Sequence, residues 1–171
     1  VTASTDEMGR QRAATYTPNG DTATATSGSG STAGTTTGTY GANSGDSLTS
    51  LQAPGGATQS QAFANTAAAT KYLASSSTDA SGNSSTYTYN GAGNPLTSTD
   101  ALSAVATLTY NSDGTVATAL APGNGTNKTV YGYNTDHQLT SLTPVPGSSL
   151  GSRAFTYDDF GRLRTATDGK G

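Results

Sequence analysis

The sequence predicts an all-β protein, a repeat array of β-hairpins of the solenoid type, and three observations lead to this prediction. The 171 residues include nine Tyr and many Thr, which suit the pleated surface of a strand. Aromatic anchors recur at a regular interval along the chain, which is typical of solenoids and β-arrays. Most anchors are followed by a turn signal of Asp or Asn with Gly, and then by an alternating run. Each repeat is therefore predicted to be a strand, a tight turn and a strand.

The composition excludes several classes of protein. Ala, Gly, Ser and Thr dominate the chain, and the few large aliphatic residues are too scarce for a compact core. The net charge of −3 provides no basic face for nucleic acid. No apolar run is long enough to span a membrane, and the absence of Cys excludes disulfides and thiolate metal sites. No signal peptide is visible, so we expect any export signal to have been removed or to lie on a longer parent chain.

The repeat is clearest in the segment YDDFGRL, from Tyr157 to Leu163. Related segments are YNGAGNPL from Tyr89, YNSDGTV from Tyr110 and YNTDHQL from Tyr133. The anchors lie roughly 21 to 26 residues apart, and they divide a single array over residues 1–171 into about seven units. The predicted anchors are Tyr16, Tyr40, Phe63, Tyr89, Tyr110, Tyr133 and Tyr157.

The turn of each unit is predicted to be a three-residue hairpin loop with a left-handed last residue. Asp158 stands at the first turn position, where its carboxylate accepts hydrogen bonds from nearby backbone amides. Gly161 supplies the positive φ, and His137 takes that position in its own unit because His tolerates it. Asn replaces the Asp in three related turns and is expected to make the same local bond, at Asn90, Asn111 and Asn134.

The two strands of a hairpin are expected to pair across one apolar face. In the last unit this places Tyr157 opposite Leu163 and Phe155 opposite Thr165. A second aromatic or apolar residue two positions before the anchor lies on the same face, at Tyr87, Leu108, Tyr131 and Phe155. Arg162 is expected to face solvent or to pair with acids of the next strand. The predicted structural motif comprises Tyr89, Asn90, Gly93, Leu96, Tyr110, Gly114, Val116, Tyr133, His137, Leu139, Tyr157, Asp158, Gly161, Arg162 and Leu163.

Three further features concern the organisation of the array. A second turn-like segment recurs between units, as TDEMG, TDASG, TDALS and TDGKG. The sequence starts and stops at the same position of the repeat, which predicts an array open at both ends. The Ala-rich stretch 60–77 is predicted to be an irregular or helical insertion. The Gly- and Ser-rich stretch 26–38 is interpreted as a longer loop between repeats, with a flexible linker as the alternative.

The residues that could form a catalytic or metal site also occupy positions of the predicted repeat. Asp158 and Asp159 form an acidic pair, but Asp158 is also the turn residue of its unit. His137, beside Asp136, formally allows a Ser-His-Asp set, yet it too occupies a turn position and no Gly-x-Ser-x-Gly pattern occurs. Asp-rich turns suit Ca²⁺, but their acids are not densely spaced as in an EF-hand loop. The sequence therefore assigns no catalytic residue, no metal site and no cofactor.

The segments TDASGNSSTYTYNGAGNPLTSTD and FTYDDFGRLRTATDGKG resemble the YD repeats of RHS proteins, which read roughly Tyr-x-Tyr-Asp-x-x-Gly-Arg-Leu with Asp-x-x-Gly between units. The similarity covers the chain and is close at Tyr89 and Tyr157, although several units lack the Asp or the Arg. The resemblance implies long strands wound into a β-spiral. In bacterial toxins of this family the spiral forms a shell around a toxic domain, and in teneurin-like proteins it forms a barrel at the cell surface.

Two functions from different classes are expected from these observations. The first is a non-catalytic wall segment of a large secreted or cell-surface protein, of bacterial origin, with neighbouring YD repeats of the same or an adjacent chain and an enclosed toxin cargo as partners. The second is an extracellular adhesin or fibre that binds glycans or another cell and assembles end to end. An enzyme is the remote third.

Overall fold

The computed structural model describes residues 2–41 and 46–169, and within them the architecture is all-β. Fifteen strands make up the regular structure, and the one helical element of the described residues is a 3₁₀ turn at Gly30–Thr32. The predicted fold class is confirmed. The chain forms two compact units, the first reaching Tyr87 and including Gly91–Gly93, the second made of Thr88–Asn90 and the residues from Asn94 onward.

In the first unit the strands follow one another in the sheet in chain order, and every pair is antiparallel. This order suits consecutive strands joined by short connections, and the exception is the longer stretch 63–75 between β6 and β7. The strands are β1 (Thr2–Thr5), β2 (Gln11–Tyr16), β3 (Thr22–Ser27), β4 (Gly34–Gly41), β5 (Ser47–Gln52), β6 (Thr58–Ala62), β7 (Ser76–Thr78) and β8 (Ser84–Tyr89), the last two residues of β8 belonging to the second unit.

The second unit is built in the same way, with antiparallel neighbours in chain order. Its strands are β9 (Pro95–Thr99), β10 (Val105–Tyr110), β11 (Val116–Leu120), β12 (Thr129–Tyr133), β13 (Leu139–Thr143), β14 (Arg153–Tyr157) and β15 (Leu163–Thr167). Thr, Tyr, Val and Leu supply most of these strands, in line with their preference for a pleated surface. The division of the chain into about seven units stays a prediction.

A register shift precedes the anchor tyrosine in five hairpins, at Tyr16, Tyr40, Tyr110, Tyr133 and Tyr157. Tyr157 pairs with Leu163, as predicted from the turn. The predicted pairing of Phe155 with Thr165 is wrong, because Phe155 lies opposite Ala166 and Thr165 lies opposite Thr156. The bulge adds one residue to the second strand, so every pair beyond it is displaced by one position.

Burial in both units is shallow. Among the described residues, Thr70 is the sole buried side chain, with 6% of its surface exposed, and no apolar side chain reaches that class. Within the described residues of each unit, no helix or second sheet covers the faces of the strands. The sheet face that carries the tyrosines, called the tyrosine face below, is half-buried, as at Tyr87, Tyr110 and Tyr133.

Two of the predicted irregular segments need correction. In the range 60–77 no helix forms: β6 ends at Ala62, β7 begins at Ser76, and a single turn around Thr70 lies between them. One turn is too short to propagate a helix. The stretch 26–38 is mostly strand, because β3 and β4 extend into it and leave only residues 28–33 as a loop. The side chain of Phe63, the weakest anchor, is half-buried directly after β6.

Candidate functional site

The turn around Asp158 shows how the repeat is built. One carboxylate oxygen of Asp158, Oδ1, accepts the backbone N–H groups of Phe160 (3.0 Å) and Arg162 (2.9 Å). The other, Oδ2, accepts the guanidinium of Arg162 at 2.8 Å. Gly161 closes the loop with φ of 77°. Arg162 is exposed to solvent, as one of the two predicted alternatives has it, with 74% of its side chain accessible. The other alternative, pairing with acids of the next strand, is wrong, because Arg162 folds back on its own turn and its guanidinium lies 5.2 Å from the Phe160 ring.

These contacts explain the acidity of Asp158. The backbone N–H of Arg162 and then its side chain donate to the carboxylate, and together they lower the pKa of Asp158 below the ordinary value. Asp159, next to it, contributes no hydrogen bond to the described residues. The two carboxylates therefore differ in role, and that of Asp158 accepts the hydrogen bonds that hold the turn.

The second turn-like segment of the sequence turns out to be the same turn. Asp6 accepts the N–H groups of residues 8 and 10, Asp79 those of residues 81 and 83, and Asp100 those of residues 102 and 104, all at 2.8–3.0 Å. Bonds to the backbone and side chain of Arg10 lower the pKa of Asp6, and bonds to Asn83 lower that of Asp79. The signal in the sequence that identifies these turns is the Asp four residues before the last residue of each turn. The part of TDGKG beyond residue 169 lies outside the described residues.

Asn takes the same role in two of the three predicted turns. The side-chain oxygen of Asn134 accepts the N–H groups of Asp136 (3.0 Å) and Gln138 (2.9 Å), and that of Asn90 accepts the N–H of Asn94 (2.9 Å). The prediction for Asn111 is wrong. Its side-chain amide donates to the Thr115 hydroxyl oxygen instead. The carboxylate of Asp113 accepts hydrogen bonds from the backbone N–H and the hydroxyl of Thr115.

His137 occupies the left-handed turn position with φ of 60°, as predicted. Its Nε2 lies 3.4 Å from Oδ2 of Asp113, in the turn of the preceding hairpin. The pKa of Asp113 is lowered, first by the bonds from Thr115 and further by the imidazole. Within the described residues no serine hydroxyl bonds to His137, so the geometry of a Ser-His-Asp set is not formed there.

Three of the anchor tyrosines join their hairpin to the previous one through their hydroxyl groups. The hydroxyl of Tyr40 donates to the carbonyl of Thr22 (3.0 Å), that of Tyr110 to Pro95 (2.8 Å) and that of Tyr157 to Leu139 (2.8 Å). Each acceptor is the first residue of the second strand of the preceding hairpin. Sequence reasoning missed these acceptors, because the tyrosine spacing identifies the donor only.

Tyr133 is the anchor whose surroundings affect its ionisation most clearly. Burial, with smaller contributions from Tyr131 and Asp113, raises its pKa above the ordinary value of a phenol. A neutral Tyr133 is therefore maintained to more alkaline pH. This agrees with a packing role for the tyrosine face.

A row of threonine pairs marks the opposite face of the hairpins. In the motif, the Thr before the anchor hydrogen-bonds the Thr that faces it across the strands: Thr15 with Thr24 (2.7 Å), Thr88 with Thr97 (2.7 Å), Thr109 with Thr118 (2.7 Å) and Thr156 with Thr165 (2.6 Å). Cross-strand hydroxyl pairs of this type add to sheet stability. The predicted motif did not include them.

The remaining motif residues lie at strand ends. Tyr89 ends β8 and Leu96 lies in β9, while Val116 pairs with Tyr110 and Leu139 with Tyr133. Gly93 and Gly114 have φ of 88°, which identifies them as the left-handed residues of their turns. The structure thus pairs Tyr110, Tyr133 and Tyr157 each with the apolar residue after its own turn.

The first unit contains a surface cavity of about 580 Å³, lined by residues of β1 to β4 and by Pro54. Its lining includes Arg12, Ala14, Ala25 and Thr36. Ala14 stands two residues before the anchor Tyr16, where the hairpins of the second unit carry Leu108, Tyr131 or Phe155. The small side chain leaves room on the tyrosine face.

Neither a metal cluster nor a helix able to span a membrane is found in the described part of the chain. No three His, Asp or Glu side chains of residues 2–41 and 46–169 lie close enough together to hold a metal ion. None of the helices in the same ranges has the length and apolar character that crossing a bilayer requires.

Comparison with known proteins matches one stretch of the chain to a repeat family. The RHS Repeat family matches residues 73–105, which include the turn at Asp79, strands β8 and β9 and the turn at Asp100. No curated protein matches the chain. The solved structures that resemble it include a crystal structure of TcdB2-TccC3-Cdc42, with a TM-score of 0.71 and 14% identity over 93% of this chain and 9% of the other.

Two further structures give the same result. The Tc holotoxin pore of Photorhabdus luminescens has a TM-score of 0.69 and 15% identity over 93% of this chain, and TcdB2-TccC3 has 0.69 and 15% over 90%. In each case 9% of the other chain is covered, so this chain spans less than a tenth of their length. At such identity the likeness establishes a shared fold, that of an antiparallel β-sheet segment of these toxin chains.

Proposed function

We propose that the chain is a wall segment of a larger exported or cell-surface RHS/YD-repeat protein of bacterial origin, because residues 73–105 match the RHS Repeat family and the chain shares the fold of a segment of Tc toxin chains. In this role it encloses a cargo, such as a toxic domain, or presents a surface. The similarity of 93% of the chain to part of a TcdB2-TccC3-Cdc42 chain is the observation that carries the proposal. Its function is mechanical and non-catalytic.

The geometry supports a wall in two ways. Among the described residues each strand pairs with its neighbours in the chain, so a unit grows by adding hairpins at its edge. The threonine pairs and tyrosine bonds link adjacent strands on two different faces, which stiffens a single layer without a buried core. The partners of such a segment are the neighbouring YD repeats of its own or an adjacent chain.

The test is cryo-electron microscopy of the natural full-length protein that contains this chain. The proposal expects residues 1–171 to form part of a continuous β-wall around an interior that holds density for another part of the protein. Proteolysis of that interior segment should be slow in the intact protein and fast after Gly161→Val and Gly93→Val, which open hairpins of the wall. An array without an interior, or equal proteolysis in both proteins, would overturn the enclosing role.

The cavity of the first unit favours a second candidate, an adhesin that binds glycans. Thr2, Ser4, Thr36 and Arg12, whose side chains carry hydroxyl and guanidinium groups, are among the residues that line a space of a size suited to a sugar ring. Glycan-array binding by the isolated chain, lost in Arg12→Gln and in Ala14→Tyr, would support this function. Binding that survives both changes, or no binding at all, would remove it.

A further inference from the structure

We propose that Asn124 is a site of spontaneous covalent modification, at which the folded chain converts asparagine into aspartate and isoaspartate without an enzyme. The sequence contains three Asn-Gly pairs, at Asn19-Gly20, Asn90-Gly91 and Asn124-Gly125. A glycine after asparagine has no Cβ to hinder the approach of its backbone nitrogen to the asparagine side chain. The three pairs have equal local chemistry, so their structural surroundings decide which one reacts first.

The reaction is a ring closure followed by hydrolysis. The backbone nitrogen of Gly125 attacks Cγ of Asn124, a new N–Cγ bond forms, and the Cγ–Nδ2 bond breaks. The amide proton of Gly125 leaves with Nδ2 in ammonia, so that a five-membered succinimide remains. Water then opens either of the two ring carbonyls and gives aspartate or isoaspartate. The net change is one ammonia lost and one water gained, with one new negative charge.

Asn19 is held away from this reaction by its turn. Its side-chain Nδ2 donates to Oδ1 of Asp46 at 2.9 Å, which fixes the group that would have to leave. The N–H of Gly20, the attacking nitrogen, donates to the carbonyl of Thr17 at 3.0 Å. Both reacting groups are therefore engaged in hydrogen bonds in the folded state.

Asn90 is held by the bond that defines the repeat. Its side-chain oxygen accepts the N–H of Asn94 at 2.9 Å, and its own N–H donates to the carbonyl of Asn94 at 2.9 Å. The side chain is thus fixed across the loop. It must break the turn before Cγ can approach the following nitrogen.

Asn124 lies between β11 and β12, in a loop that provides neither of these restraints on the asparagine side chain. Its side chain forms no hydrogen bond with the described residues, and neither does the N–H of Gly125. The loop consists of two consecutive turns, closed by Asn124 N–H to Ala121 at a long 3.3 Å and by Asn127 N–H to Asn124 at 2.9 Å. Leaving group and nucleophile are both free to move, so ring closure costs no existing bond of either group.

The test is a time course of the whole folded chain at mildly alkaline pH and physiological temperature. Peptide mapping by tandem mass spectrometry follows the conversion at each of the three asparagines separately. The proposal expects conversion at Asn124 to be at least several-fold faster than at Asn19 and Asn90. In the urea-unfolded chain the three rates should become similar, because the protecting bonds are gone. Conversion at Asn19 or Asn90 as fast as at Asn124 in the folded chain would overturn the proposal.

The matched variant is Gly125→Asn. Gly125 has φ of 59°, which asparagine tolerates, and a Cβ at this position meets no atom within 4 Å. The fold is therefore kept while the new side chain hinders attack, and conversion at Asn124 should slow several-fold with no change at Asn19. Asn124→Gln should abolish the reaction at this position on the same time scale. An unchanged rate at Asn124 in Gly125→Asn would show that attack by this nitrogen is not the route.

Discussion

The hydroxyl of Tyr157 donates a hydrogen bond of 2.8 Å to the carbonyl oxygen of Leu139 and so joins the hairpin β14–β15 to the hairpin β12–β13. The two residues are 18 positions apart, and the bond lies outside the ladder that pairs the strands. Tyr40 and Tyr110 make the equivalent bond. The repeated tyrosine therefore acts between hairpins as well as within its own.

Tyr157→Phe should lower stability by about 1 kcal/mol, the typical net contribution of one protein hydrogen bond. The change removes the hydroxyl alone and keeps the ring on the half-buried face. Urea unfolding measures the loss, and hydrogen exchange should show it most strongly in β13 and β14. Tyr131→Phe is the control, because the Tyr131 hydroxyl bonds to no described residue. Equal losses in both variants would contradict the role of the Leu139 contact.

Asp158 should make its hairpin sensitive to acid. Its pKa is lowered in the folded chain, whereas in the unfolded chain it titrates near the ordinary value of about 3.9. Such a group contributes stability above its unfolded pKa, and the contribution is lost as the pH falls through the folded pKa. We expect acid unfolding of β14–β15 to begin as the pH drops below about 4, followed by hydrogen exchange or by the tyrosine signal.

Asp158→Asn tests this acid sensitivity. Asn keeps an oxygen that accepts the N–H groups of Phe160 and Arg162, as Asn134 does in its own turn, but it does not titrate. The variant should therefore unfold with a shallower dependence on acid pH. Asp159→Asn removes the adjacent carboxylate, which has no bonding partner among the described residues, and serves as the matched control. A shallower profile in the control alone would refute the assignment.

Gly161→Val should cost about 1–2 kcal/mol, because a residue with a Cβ is strained in the left-handed region. The φ of Gly161 is 77°, and a Cβ there would lie 3.0 Å from Nε2 of Gln138. Gly161→Asn should cost less, since Asn tolerates this region. Gly55→Val is the control, because Gly55 lies outside the left-handed region and has open space around its Cβ position. Thermal unfolding that ranks the variants otherwise would count against the turn geometry.

The threonine pair Thr156–Thr165 should show coupling in a double-mutant cycle. Val has nearly the same shape as Thr and lacks the hydroxyl, so each single change removes one partner of the 2.6 Å bond. Removing both partners is less costly than leaving one unpaired, and a coupling of about 0.5–1 kcal/mol is expected from urea unfolding of the four proteins. Additive effects of the two changes would show that the bond contributes nothing.

The local part of this structure was predictable because it depends on a few adjacent residues. The turn at Asp158, the positive φ of Gly161 and the pairing of Tyr157 with Leu163 follow from loop length and residue type. The partner of Phe155 did not follow, because a bulge next to the anchor displaces the register by one residue. A bulge of this kind has no residue type of its own in the sequence.

Contacts between hairpins lay beyond sequence reasoning for a different reason. The acceptor of the Tyr157 hydroxyl is a backbone carbonyl, which every residue has, so nothing in the identity of Leu139 marks it. The pairing of His137 with Asp113 likewise depends on which turns lie side by side. From its position, Asn111 was expected to accept backbone N–H groups as Asp158 does. The neighbouring Asp113 accepts the N–H and the hydroxyl of Thr115 instead.

The absence of buried apolar side chains among the described residues affects how stability depends on temperature. Exposure of apolar surface on unfolding raises the heat capacity, and this rise curves the stability of ordinary domains so that it declines on both cooling and heating. A sheet whose apolar side chains are only half-covered exposes less new apolar surface per residue when it unfolds. Its free energy of unfolding should therefore follow a flatter curve, which would keep the hairpins intact over a wide range of temperatures.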